Sequence, residues 1–150
     1  MMRYLDMDRR YACYCGLCCE NCAIKVKVFT AAKILHDEMR NVRFDEVVKM
    51  IPGGDGFWTF LKDIAENGAT ASCRGGCGDP GCKVRICAVE KGIEMCAFCD
   101  EYPCTVFKEF SADHPIIVRD NALLREKGWD AWLKLQDERR AKGFTYGMEE

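Results

Sequence analysis

The stretch CRGGCGDPGCKVRICAVEKGIEMCAFCDEYPC, Cys73 to Cys104, places seven cysteines in thirty-two residues. Their spacing is Cys73-x3-Cys77-x4-Cys82-x4-Cys87-x8-Cys96-x2-Cys99-x4-Cys104. Gly75-Gly76 and Gly78-Asp79-Pro80-Gly81 must turn the backbone sharply, and glycine does so without steric cost. Glycines beside Cys77 and Cys82 let backbone amides approach those sulfurs and soften their charge. Cys96-x2-Cys99 is the spacing at which one tight turn aims two thiolates at a single tetrahedral ion, about 2.3 Å from each sulfur. Thiolates select zinc, iron–sulfur or Cu(I) over hard cations. The stretch therefore reads as an irregular loop closed around metal.

A second cluster, CYCGLCCENC from Cys13 to Cys22, supplies the other five of the twelve cysteines. Cys15-x3-Cys19-x2-Cys22 is the spacing that radical-SAM enzymes use for a [4Fe–4S] cluster, but that class needs most of a β/α barrel, which 150 helical residues do not supply. The overlapping frames Cys15-x2-Cys18 and Cys19-x2-Cys22 each look like half a zinc site. Cys13 and Cys18 are left over, as further ligands or as reactive thiols beside a metal. Twelve thiolates fill three tetrahedral sites; ten fill two and leave two over. Spacing alone does not separate zinc from iron, since both accept four thiolates in similar geometry.

Outward from the clusters the pattern is helical. Ile24, Val28, Ala31, Leu35 and Met39 recur at three- and four-residue steps and predict one apolar stripe on a helix of about five turns. A short helix is expected from an N-cap at Asp45 through Val47, Val48 and Ile51, stopped by Pro52-Gly53-Gly54. Asp55 or Gly56 opens a third, with Phe57, Phe60, Leu61 and Ile64 on one side and Asn67-Gly68 at its end. After a short helix over Lys83 to Lys91, ended by Gly92, Pro103 is placed at the first position of the next. A further helix runs from Pro115 to a stop at Gly128, and a last one carries Trp129, Trp132, Leu133 and Gln136 to Gly143. His36 is read as a surface residue, His114 as a structural one, and the tryptophans as core or interface packing. Residues 1–12 read as a loosely held arm. No alternating strand of five residues occurs. The expected fold is mainly α: one small helical domain over 1–150, with cluster 13–22, helices 23–68, cluster 73–104 and C-terminal helices 105–142, and little or no sheet.

A formal charge of −2 disfavours nucleic acid as a partner, and the Lys25, Lys27, Lys33, Arg40, Arg43 and Arg139, Arg140, Lys142 groups read as solvated helix faces. The opening residues lack the apolar core of a secretory signal, and no apolar run approaches the ~18 residues of a membrane span. The expected compartment is the cytoplasm, where thiols stay reduced and a disulfide framework is disfavoured. No Ser–His–Asp set, no GxxxxGK[ST] and no HExxH stands out. A binding or interaction module, with room for a protein partner, is expected before an enzyme.

YCGLCCENC, CRGGC…CKVRICAVEKGIEMCAFCDEYPC and the tail GWDAWLKLQDERR together resemble the DUF3795 family of small Cys-rich proteins, from residue 14 to about 142. The resemblance implies zinc binding and no particular reaction. It implicates Cys15, Cys19, Cys22, Cys73, Cys77, Cys82, Cys87, Cys96, Cys99 and Cys104 as ligands. Cys18 falls at a position variable in the family, and Cys13 lies just outside its motif. Many relatives carry a further Cys-Pro-x-Cys-Gly pair after the Trp helix, where this chain reads Ala141-Lys-Gly-Phe-Thr-Tyr-Gly. The expected cofactor is two or three Zn2+ per chain, with an iron–sulfur cluster and redox function as the alternative, and a nucleic-acid-binding zinc module as a further one.

Overall fold

The computed structural model describes residues 9–148, so most of the expected N-terminal arm lies outside the described residues. The chain forms two compact units, Ala23–Ala71 and the remainder, Met1–Cys22 with Ser72–Glu150. Among the described residues there are six α-helices and no strand; one isolated bridge joins Ala12 and Cys18. The mainly helical expectation holds, with the irregular loops falling at the cysteine clusters.

The unit Ala23–Ala71 starts with a π-helical turn, Ile24–Phe29, that runs into α1, Thr30–Asn41. Then follow α2, Phe44–Val48, and α3, Gly54–Asn67. Its core is Ala32, Met39, Val48, Trp58 and Leu61, with Ile64 packed against them. The inward line of α1 is therefore Ala32, His36 and Met39; Met39 lies on the predicted stripe, whose Ile24, Val28, Ala31 and Leu35 are exposed. A π turn with i→i+5 bonding precedes α1, so Ile24 and Val28 do not continue the α-helical phase of the residues that follow. His36 is buried, against expectation, because its ring stacks on Trp58 with centroids 4.9 Å apart and planes 16° from parallel. Its Nδ1 stays at the edge, 3.1 Å from Asp37 Oδ1. Asp45 does not cap α2; Arg43 precedes that helix in a left-handed conformation, φ 57°. On α3, Trp58, Leu61 and Ala65 point inward while Phe57 and Phe60 stay exposed.

In the other unit, α4, Lys83–Lys91, ends at Gly92 as predicted. Pro103 lies two residues before α5, Thr105–Asp113, rather than inside it, because Cys104 between them is extended (φ −80°, ψ 173°). The helical span α6, Ile116–Ala141, is broken at Gly128 (φ 79°, ψ −174°), a conformation that only glycine adopts readily, which gives the two expected helices. Two apolar clusters fill this unit. One joins Ala12, Cys18, Met95, Ala97, Leu124 and Trp132. The other joins Cys13, Cys15, Cys19 and Cys96 to Val84, Phe107 and Ile117, so thiols are themselves core side chains.

Gly16 sits at the tip of the first cysteine loop with φ 111°, and a Cβ there would stand 2.2 Å from Asn121 Oδ1. Gly16→Ala is expected to cost more than about 1 kcal/mol, through the left-handed φ and the clash together. Gly56→Ala, at an open position on α3, is expected to be neutral or stabilising. Urea unfolding of the two variants measures the contrast.

Candidate metal centre

The first cysteine loop closes on itself through Cys13 N–H to Leu17 O (2.8 Å) and Gly16 N–H to Cys13 O (3.1 Å). Its outer hold comes from α6. Asn121 donates to Cys15 O at 3.0 Å. Asn21, fully buried, donates to Gln136 O and Oε1 at 3.2 and 3.0 Å. Tyr146 donates to the same Oε1 at 3.2 Å, and its hydroxyl accepts from Cys18 N–H at 2.7 Å. Gln136 in turn donates to Asp120 Oδ2 at 2.9 Å. Arg139 closes the set with two bonds to the same buried carboxylate, 2.6 and 3.1 Å. One buried polar network thus ties the loop to both halves of α6 and to the tail.

The second loop is held by arginines that donate to main-chain carbonyls. Arg85 of α4 reaches Cys73 O (3.2 Å), Cys77 O (2.7 Å) and Asp79 O (2.5 Å). Arg74 reaches Ala12 O (2.8 Å) and Glu94 O (2.6 Å) while lying over the Tyr14 ring. Arg125 reaches Ala97 O at 2.6 Å, and Cys96 N–H donates to Tyr14 O at 2.8 Å. The two loops are therefore pinned to each other as well as to helices, and they have protein anchors beyond any metal.

All twelve cysteines are free thiols. In a first group, Cys13 and Cys19 sulfurs lie 3.4 Å apart, and Cys73 N–H donates to Cys19 Sγ at 3.2 Å. Thiol hydrogen bonds to Cys15, Cys19 and Cys73 hold the Cys13 pKa well up. The hydrogen bond from Cys13, helped by the Tyr14 amide and the Arg85 charge, brings Cys73 down to about 6. Cys77 is raised by burial and by its neighbours Cys19, Cys22 and Cys73, while the Gly78 amide opposes that shift, the amide-to-sulfur contact that the sequence predicts. In a second group, burial and then Cys15, Cys104, Cys87 and Cys99 push Cys96 up to about 12. Cys15 thus lies between the groups. Cys82, at the start of α4, packs against the Cys13, Cys15, Cys19 and Cys96 cluster and lines a cleft of about 300 Å³ with Val106 and Phe110. Cys18 points into the Trp132 cluster, where burial pushes it up to about 12.

The donor set is entirely sulfur, which suits zinc or an iron–sulfur cluster. Sulfurs bound to one zinc lie roughly 3.8 Å apart, from the ~2.3 Å Zn–S length; Cys13 and Cys19, 3.4 Å apart, form a thiol hydrogen bond. Among the described residues, however, no three His, Cys, Asp or Glu side chains stand ready as a metal-ligand group. The thiols are gathered but not closed. Both histidines lie elsewhere, His36 against Trp58 and His114 against Phe110. Asn21, Asp120, Asn121 and Tyr146 escape the sequence reading because they hold the loops without carrying chemistry, and Arg139, read there as part of a solvated helix face, is instead buried because it pairs with the buried Asp120. Gln136 and Arg139 do fall within the Trp helix whose sequence resembles the family tail.

Over residues 11–109 the chain matches a family described as a protein of unknown function, DUF3795. No curated protein and no solved structure matches it. No helix among the described residues is long and apolar enough to cross a membrane.

Asp120→Asn keeps the shape of the network but removes the carboxylate charge facing the buried Arg139, and is expected to destabilise the chain by about 3–5 kcal/mol. The double variant Asp120→Leu/Arg139→Met should cost less than Asp120→Asn alone, because no buried charge is left behind. Denaturant midpoints of the three proteins check this.

Proposed function

We propose that this chain, which belongs to the DUF3795 family, is a zinc-thiolate protein whose two thiol groups each close on one ion, forming a rigid binding module. Cys19, Cys22, Cys73 and Cys77 are the ligands assigned to the first ion, and Cys87, Cys96, Cys99 and Cys104 to the second. The observation that carries the reading is that thiols crowd together across the two stretches: Cys73 N–H donates to Cys19 Sγ at 3.2 Å, Cys77 has Cys19, Cys22 and Cys73 as neighbours, and Cys96 has Cys15, Cys104, Cys87 and Cys99. Gathering reduced thiols in a core has a cost that metal removes, since a thiolate bound to zinc is no longer an uncompensated charge.

Energetics point the same way. A structural zinc supplies on the order of 10–16 kcal/mol of apparent folding free energy, against about 5–15 kcal/mol for a whole domain. When bound, zinc held by four thiolates offers no open position for substrate, so it supplies a cross-link rather than a reaction. The chain's own residues then fix the module: Arg74, Arg85 and Arg125 hold the loop carbonyls, and Asn121 and Asn21 hold the first loop. A partner protein is the expected ligand of such a module.

Elemental analysis of protein purified without oxygen should find about two zinc per chain and no visible colour. Cys73→Ser and Cys99→Ser are each expected to remove about one zinc, while Cys18→Ala leaves the metal content unchanged. Iron with acid-labile sulfide and a brown chromophore would replace this reading with an iron–sulfur redox protein.

A further inference from the structure

Most of the large apolar side chains left exposed lie in the unit Ala23–Ala71. On α1 the inward residues are Ala32, His36 and Met39, and each is preceded by an exposed one: Ala31, Leu35 and Glu38. On α3 the inward residues Trp58, Leu61 and Ala65 are likewise preceded by Phe57, Phe60 and the half-buried Ile64. One residue earlier is a turn of about 100° in the same sense on each helix. The two helices run antiparallel: Gly68, just past α3, lies against Phe29, just before α1, and His36 meets Trp58 further along. Equal rotation on antiparallel partners brings both second faces to the same side. Leu35 and Val42 of the α1 segment thus share one face with Phe57 and Phe60, with Ile34 at its outer edge, and these five are 45–71% exposed.

We propose that this α1/α3 face is a homodimer interface in which a second copy of the chain completes a four-helix bundle. Charge selects the occupant. The line Lys27, Ala31, Ile34, Glu38 runs down the exposed side of the helix at steps of four, three and four residues, and all four are exposed. Lys27 lies in the π turn, where four residues nearly close one turn and keep it in line with Ala31. That line is self-complementary when read antiparallel: about a twofold axis between Ala31 and Ile34, Lys27 meets Glu38 of the second copy and Ala31 meets its Ile34. Isologous contacts of this kind are the commonest in oligomers, and two apolar-faced helix pairs stack as a four-helix bundle. Glu38, bonded only loosely to Asn41 at 3.3 Å, places an acid in the middle of the face, which disfavours an anionic membrane or nucleic acid. A standard interface of ~800 Å² per partner, about 65% apolar in homodimers, needs roughly 500 Å² of apolar surface. Five large side chains, each about half exposed, supply an area of that order.

Sedimentation equilibrium of the full chain as purified tests this, with circular dichroism confirming that each variant folds. The wild-type chain should be a dimer and Ile34→Glu a monomer. Lys27→Glu and Glu38→Lys should each weaken the dimer at least about tenfold, because each creates two like-charge contacts across the twofold. The double reversal Lys27→Glu/Glu38→Lys should restore it. A wild-type chain that is monomeric at every concentration overturns the proposal. So does a dimer indifferent to Ile34→Glu, a double reversal no tighter than the single ones, or a monomer that floats with phosphatidylserine vesicles.

Discussion

The buried carboxylate of Asp120 is the point on which the cysteine-bearing unit depends. It is 1% exposed and accepts from both Arg139 and Gln136 across the break at Gly128. A buried ion pair need not stabilise a fold, because desolvation offsets the attraction, but it punishes every arrangement that leaves one partner alone. Here it fixes how the two halves of α6 approach each other. Gln136, so oriented, presents its carbonyl and side-chain oxygens to Asn21, and Tyr146 bridges from Gln136 to the Cys18 amide. A single charge pair therefore sets the position of a loop that bears five thiols.

That loop would otherwise have little to define it. Its residues make one isolated bridge and a few short-range turns, and its side chains are mostly small sulfurs. The arginines solve the matching problem in the second loop by donating to carbonyls rather than pairing with carboxylates. Arg85 alone spans three carbonyls of the Cys73–Asp79 turn. Such contacts fix the main chain that carries the sulfurs without using the sulfurs' partners to do so. Burial and crowding push the Cys96 thiol up to about 12, so a cation bound there would have to displace a proton.

Much of this was legible in the sequence where the signal is local. Gly92 and Gly128 end helices where their sequence context puts them, and the loops fall where cysteine and glycine concentrate. The reading failed where a non-local or non-standard term entered. The π turn takes Ile24 and Val28 out of the α-helical phase of α1, and no period of 3.6 anticipates it. His36 was legible as a polar residue, yet its burial depends on Trp58, twenty-two positions away. The grouping of thiols was also hidden: Cys77 has Cys19 and Cys22 as neighbours as well as Cys73, which spacing within one cluster does not reveal. The Asp120 network is invisible for the same reason, since Asn21 and Gln136 are 115 residues apart.

The central claim is that sulfur alone holds the metal, in one group drawn from both cysteine stretches and a second drawn from 73–104. Zinc K-edge X-ray absorption of the purified chain tests it most directly. The account predicts a first shell of about four sulfurs at ~2.3 Å and no nitrogen or oxygen contribution. A mixed shell with imidazole or water, or a spectrum showing no bound zinc, would contradict it.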